Sequence, residues 1–146
     1  MTPDAPPRAV WSSLLVVLLA LALFLAGNDS ELFDRDEPRY AEASRTMVLT
    51  GDLVVPVHNE VPRLLKPPAI YWFQALSFEL FGVSEFAARL PSALFVALTV
   101  WLLFRFVLWG TGRRRAAWLA AASFALSLMT LYQASAATID GSLVFF

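Results

Sequence analysis

The stretch PSALFVALTVWLLFRFVLWGTGRRRAAWLAAASFALSLMTLYQA, Pro91 to Ala134, decides what kind of chain this is. Two apolar blocks, 91–109 and 116–134, flank Arg113, Arg114 and Arg115. Each is close to the roughly 20 residues that a helix needs to cross the hydrocarbon of a bilayer. Pro91 suits the first helical position, where its missing N–H is one the helix start leaves unbonded anyway. The second block is rich in Ala and Ser, which let membrane helices approach closely. The arginine cluster, with Arg105 shortly before it, makes residues 110–115 a cytoplasmic loop by the positive-inside rule.

Outward from that stretch the pattern repeats. Residues 9–27, AVWSSLLVVLLALALFLAG, carry no charge and form the first span, preceded on the cytoplasmic side by residues 1–8 with Arg8. A secretory signal is the competing reading, but its apolar region is normally about 7–15 residues and this run is longer. Residues 135–146 read as an external turn followed by the start of a fourth span at Asp140, which rises only about 10 Å of the roughly 30 Å crossing before Phe146. Of 146 residues 58% are hydrophobic and 16% charged, so the apolar content lies above the roughly 45–50% usual for soluble domains. A net charge of -1 leaves no basic face for nucleic acid, and the absence of Cys excludes disulfides and thiolate metal sites. The expected fold is therefore all-α and polytopic, with residues 28–90 as an external loop between the first and second spans.

That loop has its own structure. Asp36, Glu37 and Pro38 form a helix start, with Pro early in the helix and carboxylates facing the positive end of its dipole, and Gly51 is the stop. Tyr40, Ala43, Met47 and Val48 share one face, which suits a helix lying along the bilayer surface. Leu53 to Val57 is β-prone, but Pro56, Pro62, Pro67 and Pro68 favour extended connections over a sheet. Ala69 to Phe81 has helical spacing, with Tyr71, Trp72 and Phe73 for an interfacial belt, and Gly82 ends it. Ser84 caps a last short turn through Arg89.

Three places can carry chemistry. Asp34, Asp36 and Glu37, interleaved with Arg35 and Arg39, place carboxylates against cations and helix-terminal amides, the opposed pulls that poise a base; an acidic helix cap is the plainer reading. Arg63 and Lys66 suit a lipid phosphate, with snorkelling to the interface as the plainer reading. Asp140 stands at the mouth of the fourth span, where a carboxylate is either functional or a helix cap. His58, without a second His, reads as a loop residue rather than a ligand. An acidic site beside a cationic phosphate site at the membrane surface suits chemistry on a lipid-phosphate-linked substrate.

The segments DEPRY-A-E (36–42), GDLVVP (51–56), KPPAIYW (66–72), FGVSEFAARLPSA (81–93) and ATIDGSLVFF (137–146) occur in order. The first four resemble the first external loop of bacterial polyprenyl-phosphate-dependent membrane glycosyltransferases, the aminoarabinose (lipid A) transferases and the wider group akin to the protein O-mannosyltransferases, and the resemblance continues through the last. The resemblance implies a GT-C enzyme in the bacterial plasma membrane, with its site on the outer side, which moves a sugar from a polyprenyl-phosphate donor to a glycolipid, glycan or protein acceptor with inversion. It implies Asp36 near the acceptor hydroxyl as base or orienting group, with Glu37 beside it as a second catalytic carboxylate. Lys66 would bind the lipid phosphate with Arg63, Arg39 would contact substrate, and Asp140 would be a ligand for a divalent metal. One departure stands out: the aminoarabinose transferases usually have Glu before that lysine, and this chain has Leu65. Family members are several hundred residues long, so residues 1–146 alone are expected to be inactive. The rival from another class is a small non-catalytic membrane protein that binds anionic or polyprenyl lipids through Arg63 and Lys66. A proton-coupled transporter half would require internal repeats, which the sequence lacks.

Overall fold

Apolar runs and their caps set the elements. In the computed structural model, which describes residues 7–26, 32, 36–59, 61–62 and 68–145, the helices are α1 (Pro7–Leu25), α2 (Glu37–Thr50), α3 (Ala69–Phe81), α4 (Glu85–Thr111), α5 (Arg114–Ala125), α6 (Leu128–Ser135) and α7 (Asp140–Phe145). The sole sheet among the described residues is a two-residue antiparallel bridge, Val57 with Pro62 and His58 with Val61, with Asn59 at φ 51 in the turn. Pro62 lies within the bridge, and Pro56 directly precedes it.

The boundaries of α2 follow the expected signals. Asp36 is the N-cap residue, Pro38 lies in the first turn, and Gly51 closes the helix at φ 73 with its N–H on the Met47 carbonyl. A left-handed cap is where Gly avoids the strain that a Cβ would bring. Helix α3 spans the predicted residues and ends at Gly82.

Two spans differ from their sequence reading. Ser84 does cap a helix, accepting the Ala87 N–H, but the helix does not stop at Arg89: it continues through Pro91 to Thr111 as one element. Pro91 is therefore inside α4, where it removes one backbone hydrogen bond. It is tolerated in a packed setting, since Pro91, Ser92 and Ala93 are all buried. The block 116–134 is not one straight helix. α5 and α6 meet at 64° across Leu126 and Ser127, and Ser127 starts α6 by accepting the Thr130 N–H. No Gly or Pro marks this break; a serine with an extended backbone makes it.

Helix α4 is the central pillar, with α1, α3, α5, α6 and α7 packed on it. One core, formed by α1, α4, α5 and α6, gathers Val16, Ala20 and Phe24 with Val96, Val100, Phe104 and the alanines 93, 97, 117, 121, 125 and 134. The first three recur every four residues, the stripe a helix buries. Alanines on the partner helices let backbones come close, the packing expected in lipid. α1 and α4 rise about 28 and 40 Å, enough to match a bilayer. By length and composition α4 qualifies as a span, and so do α5 and α6 taken together.

A second, smaller core caps the bundle. Tyr40, Ala43 and Met47 of α2 meet Ile70 and Tyr71 of α3 and Ile139 of the segment before α7. The rings of Tyr40 and Tyr71 are 5.5 Å apart. Tyr71 is thus a core residue rather than part of an interfacial belt, while Trp72 and Phe73 on the same helix are exposed. Alongside this core, Phe78, Ala87, Ala88 and Ala137 form a third cluster.

Candidate active site

The small core brings three helix starts together: that of α2 after Asp36, the first turn of α3, and that of α7 at Asp140. Asp36 is exposed and lies 3.3 Å from Arg39 Nη1 through its Oδ1. Both side chains are about half exposed, so this ion pair contributes little to stability, of order 0–1 kcal/mol. Arg39, read from the sequence as a substrate contact, is therefore placed against Asp36.

Glu37 differs from its neighbour. Read in the sequence as a second catalytic carboxylate, it is buried at 3% exposure and engaged by protein groups. Arg89 Nε donates to its Oε1 and Arg89 Nη2 to its Oε2, both at 3.1 Å, and the Ala137 N–H donates to Oε1 at 2.7 Å. The physical reason is position: Glu37 falls on the same helical face as Tyr40 and Ser44, which points into the core, whereas Asp36 precedes the helix with its side chain exposed and making no capping bond.

Around this ion pair a polar network fills the cap. Gln74 is fully buried and donates both amide hydrogens, to the carbonyls of Ala88 at 3.0 Å and Ala137 at 3.3 Å. Its Oε1 faces Ser44 Oγ at 2.8 Å, and the Ser44 hydroxyl is also 2.9 Å from the Tyr40 carbonyl, its single proton serving one of them at a time. Ser92 Oγ donates to the Thr138 carbonyl at 3.1 Å. Asp140 then opens α7 on the surface, 3.4 Å from Thr138 Oγ1.

Arg63 and Lys66, the expected phosphate-binding pair, lie outside the described residues, as do Asp34 and Arg35. His58 forms part of the β-bridge, with its Nε2 3.3 Å from Asn59 Nδ2. Among the described residues no three of His, Cys, Asp and Glu come close enough to hold a metal ion. Asp140 alone falls short of the six or more oxygens that a hard divalent cation usually takes, so any metal here would need ligands from elsewhere. A cavity of about 550 Å³ lined by Met47, Leu53, Val54, Trp72 and Leu76 is apolar and sits at the far end of α2, about 20 Å from Asp36.

Arg89, Gln74 and Ser92 were not among the residues singled out from the sequence. Signals for two of them exist. Arg89 is a lone charge between Ala87, Ala88 and an apolar helix, and Gln74 is the one amide on the stripe Ile70, Tyr71, Gln74, Ala75, Phe78.

A family model described as dolichyl-phosphate-mannose-protein mannosyltransferase matches residues 10–146. An uncharacterized protein of Aquifex aeolicus is 38% identical over 133 residues, 90% of this chain and 32% of that protein. The undecaprenyl phosphate-alpha-4-amino-4-deoxy-L-arabinose arabinosyl transferase of Aeromonas hydrophila is 46% identical over 101 residues, 69% of this chain and 18% of that protein. The crystal structure of ArnT from Cupriavidus metallidurans bound to undecaprenyl phosphate superposes with a TM-score of 0.81 at 32% identity, over 89% of this chain and 24% of that one. The chain thus spans between about a fifth and a third of the length of these relatives.

Proposed function

The chain belongs to the dolichyl-phosphate-mannose-protein mannosyltransferase family, and from that premise we propose that it is part of an inverting membrane glycosyltransferase. Its donor is a sugar on a polyprenyl phosphate, its acceptor a glycolipid, glycan or protein on the outer side of a bacterial plasma membrane. Residues 9–27, 91–109 and 116–134 cross the membrane, a fourth span begins near Asp140, and 28–90 face outward. The observation that carries this reading is the meeting of three motif-bearing segments, at Asp36, at the start of α3 and at Asp140, on one buried cluster. That arrangement leaves two carboxylates on the surface beside the small buried core.

In this reading the acceptor hydroxyl oxygen attacks the anomeric carbon, the bond from that carbon to the phosphate oxygen breaks, and polyprenyl phosphate leaves with the electron pair. Asp36 orients the acceptor hydroxyl and takes its proton, a role worth about 10²–10⁴ in rate. Arg39, 3.3 Å from Asp36, contacts substrate at the same place. Lys66 and Arg63 neutralise charge on the leaving phosphate. Asp140 contributes a second carboxylate to the site mouth; a divalent cation held there would draw its other ligands from outside the described residues.

The test is made on the protein encoded by the full open reading frame, purified in detergent and supplied with undecaprenyl-phosphate-linked sugars and lipid A. Acceptor-dependent release of undecaprenyl phosphate is expected from the wild type. Asp36→Asn is expected to lower it at least about 100-fold while binding of undecaprenyl phosphate is retained. Unchanged release by Asp36→Asn would overturn the role given to Asp36, and a wild type that binds undecaprenyl phosphate without any acceptor-dependent release would favour a lipid-binding protein.

A further inference from the structure

Residues 136–139 belong to no helix, yet all four are buried. A buried irregular segment must have its backbone groups bonded by other parts of the protein. Here side chains from three helices do so: Glu37 of α2 takes the Ala137 N–H, Gln74 of α3 reaches the Ala137 carbonyl, and Ser92 of α4 reaches the Thr138 carbonyl. Ile139 anchors the same segment in the small core. Asp140 follows immediately.

Glu37 in turn follows Asp36 immediately. Its carboxylate is thus attached by one peptide unit to the first surface acid and by one hydrogen bond to the segment that presents the second. Arg89 grips both Glu37 oxygens in a planar fork, which fixes the direction of the carboxylate as well as its charge. A buried ion pair of this kind is a weak device for stability alone, since apolar replacements of the same volume are often neutral or better. Its contribution here is geometric.

We propose that Glu37, oriented by Arg89, is a positioning residue that sets the placement of Asp140 relative to Asp36 through the Ala137 N–H, with Gln74 as a second strap. The proposal rests on the sugar-transfer reading for the use made of the two acids, and the strap itself is checked without activity. Glu37→Gln keeps an acceptor but loses the charge, and Gln74→Leu leaves the ion pair intact, so a folded variant is available if one fails.

On the full-length protein in detergent, hydrogen exchange in a peptide covering 136–139 is expected to quicken about tenfold or more in either variant, with the rest of α4 unchanged. Each variant is expected to lower kcat for sugar transfer about tenfold or more while KM for the polyprenyl donor stays within twofold. Combined with Asp140→Asn, neither is expected to lower the rate beyond Asp140→Asn alone, because residues acting through one another are not additive. Unchanged exchange, losses that multiply with Asp140→Asn, or an Asp140→Asn variant of wild-type rate would each overturn the proposal. A wild-type protein without any sugar transfer would overturn the functional reading, and exchange would then decide the strap by itself.

Discussion

At the scale of single residues, Gly141 shows how closely α7 is held. A Cβ there would come within 3.1 Å of Ser92 Cβ, 3.2 Å of Ser92 Cα and 3.3 Å of the Gln133 carbonyl. Two of these three neighbours are backbone atoms, which cannot swing aside. Ala favours a helix over Gly by about 1 kcal/mol, whereas overpacking costs about 1–3 kcal/mol, and the clash wins. Gly141→Ala is therefore expected to lower the thermal unfolding midpoint by a few degrees, and Gly141→Val by more; a rise in the midpoint would refute this packing. The two surface acids were legible from the sequence, because a carboxylate at a helix start or membrane boundary stands out from its surroundings. Glu37 was legible as part of the motif but not by its direction, since one residue along a helix turns a side chain by about 100°. Ser92 gave no signal at all. A serine in an Ala-rich apolar run looks like helix packing, and its bond to Thr138 is made across 46 residues.

At the scale of elements, the caps were the most readable features. Gly51, Gly82 and Ser84 each end or begin a helix where the sequence places them, because a left-handed Gly or a capping hydroxyl is a local requirement. Elements whose limits come from packing were less readable. Pro91 looked like a helix start by local rules, and only burial of its neighbours lets α4 run through it. The bend between α5 and α6 depends on Ser127, whose Oγ lies 2.8 Å from Thr130 Oγ1 and accepts the Thr130 N–H. Ser127→Ala removes that cap and leaves the buried Thr130 short of a partner. The expected cost is about 1–2 kcal/mol, or roughly 2–6 °C in the thermal midpoint of the detergent-solubilised protein. An unchanged midpoint would show that the bend is imposed by neighbouring helices.

At the scale of the whole molecule, an apolar bundle carries a polar-cored cap. Leu14, Leu18, Trp109 and Leu119 remain exposed on the bundle, large apolar side chains that suit lipid better than water. The proposed sidedness rests on charge and is open to direct test, because residues 1–146 contain no Cys and any introduced one is unique among them. With Asp52→Cys or Arg114→Cys in whole cells, a membrane-impermeant maleimide is expected to label the first and not the second. The reverse would invert the proposed topology. The Glu37 contact has a consequence for biosynthesis. Arg89 lies 52 residues after Glu37, and Ala137 lies 100 residues after it. At about 5–20 residues per second, the ribosome delivers Ala137 several seconds after Arg89. During that interval the carboxylate and guanidinium can meet, but the backbone donor that completes their socket has not yet been made. The contact is therefore completed late: until residue 137 is made, a nascent chain can hold the Glu37–Arg89 ion pair only without its third, backbone partner.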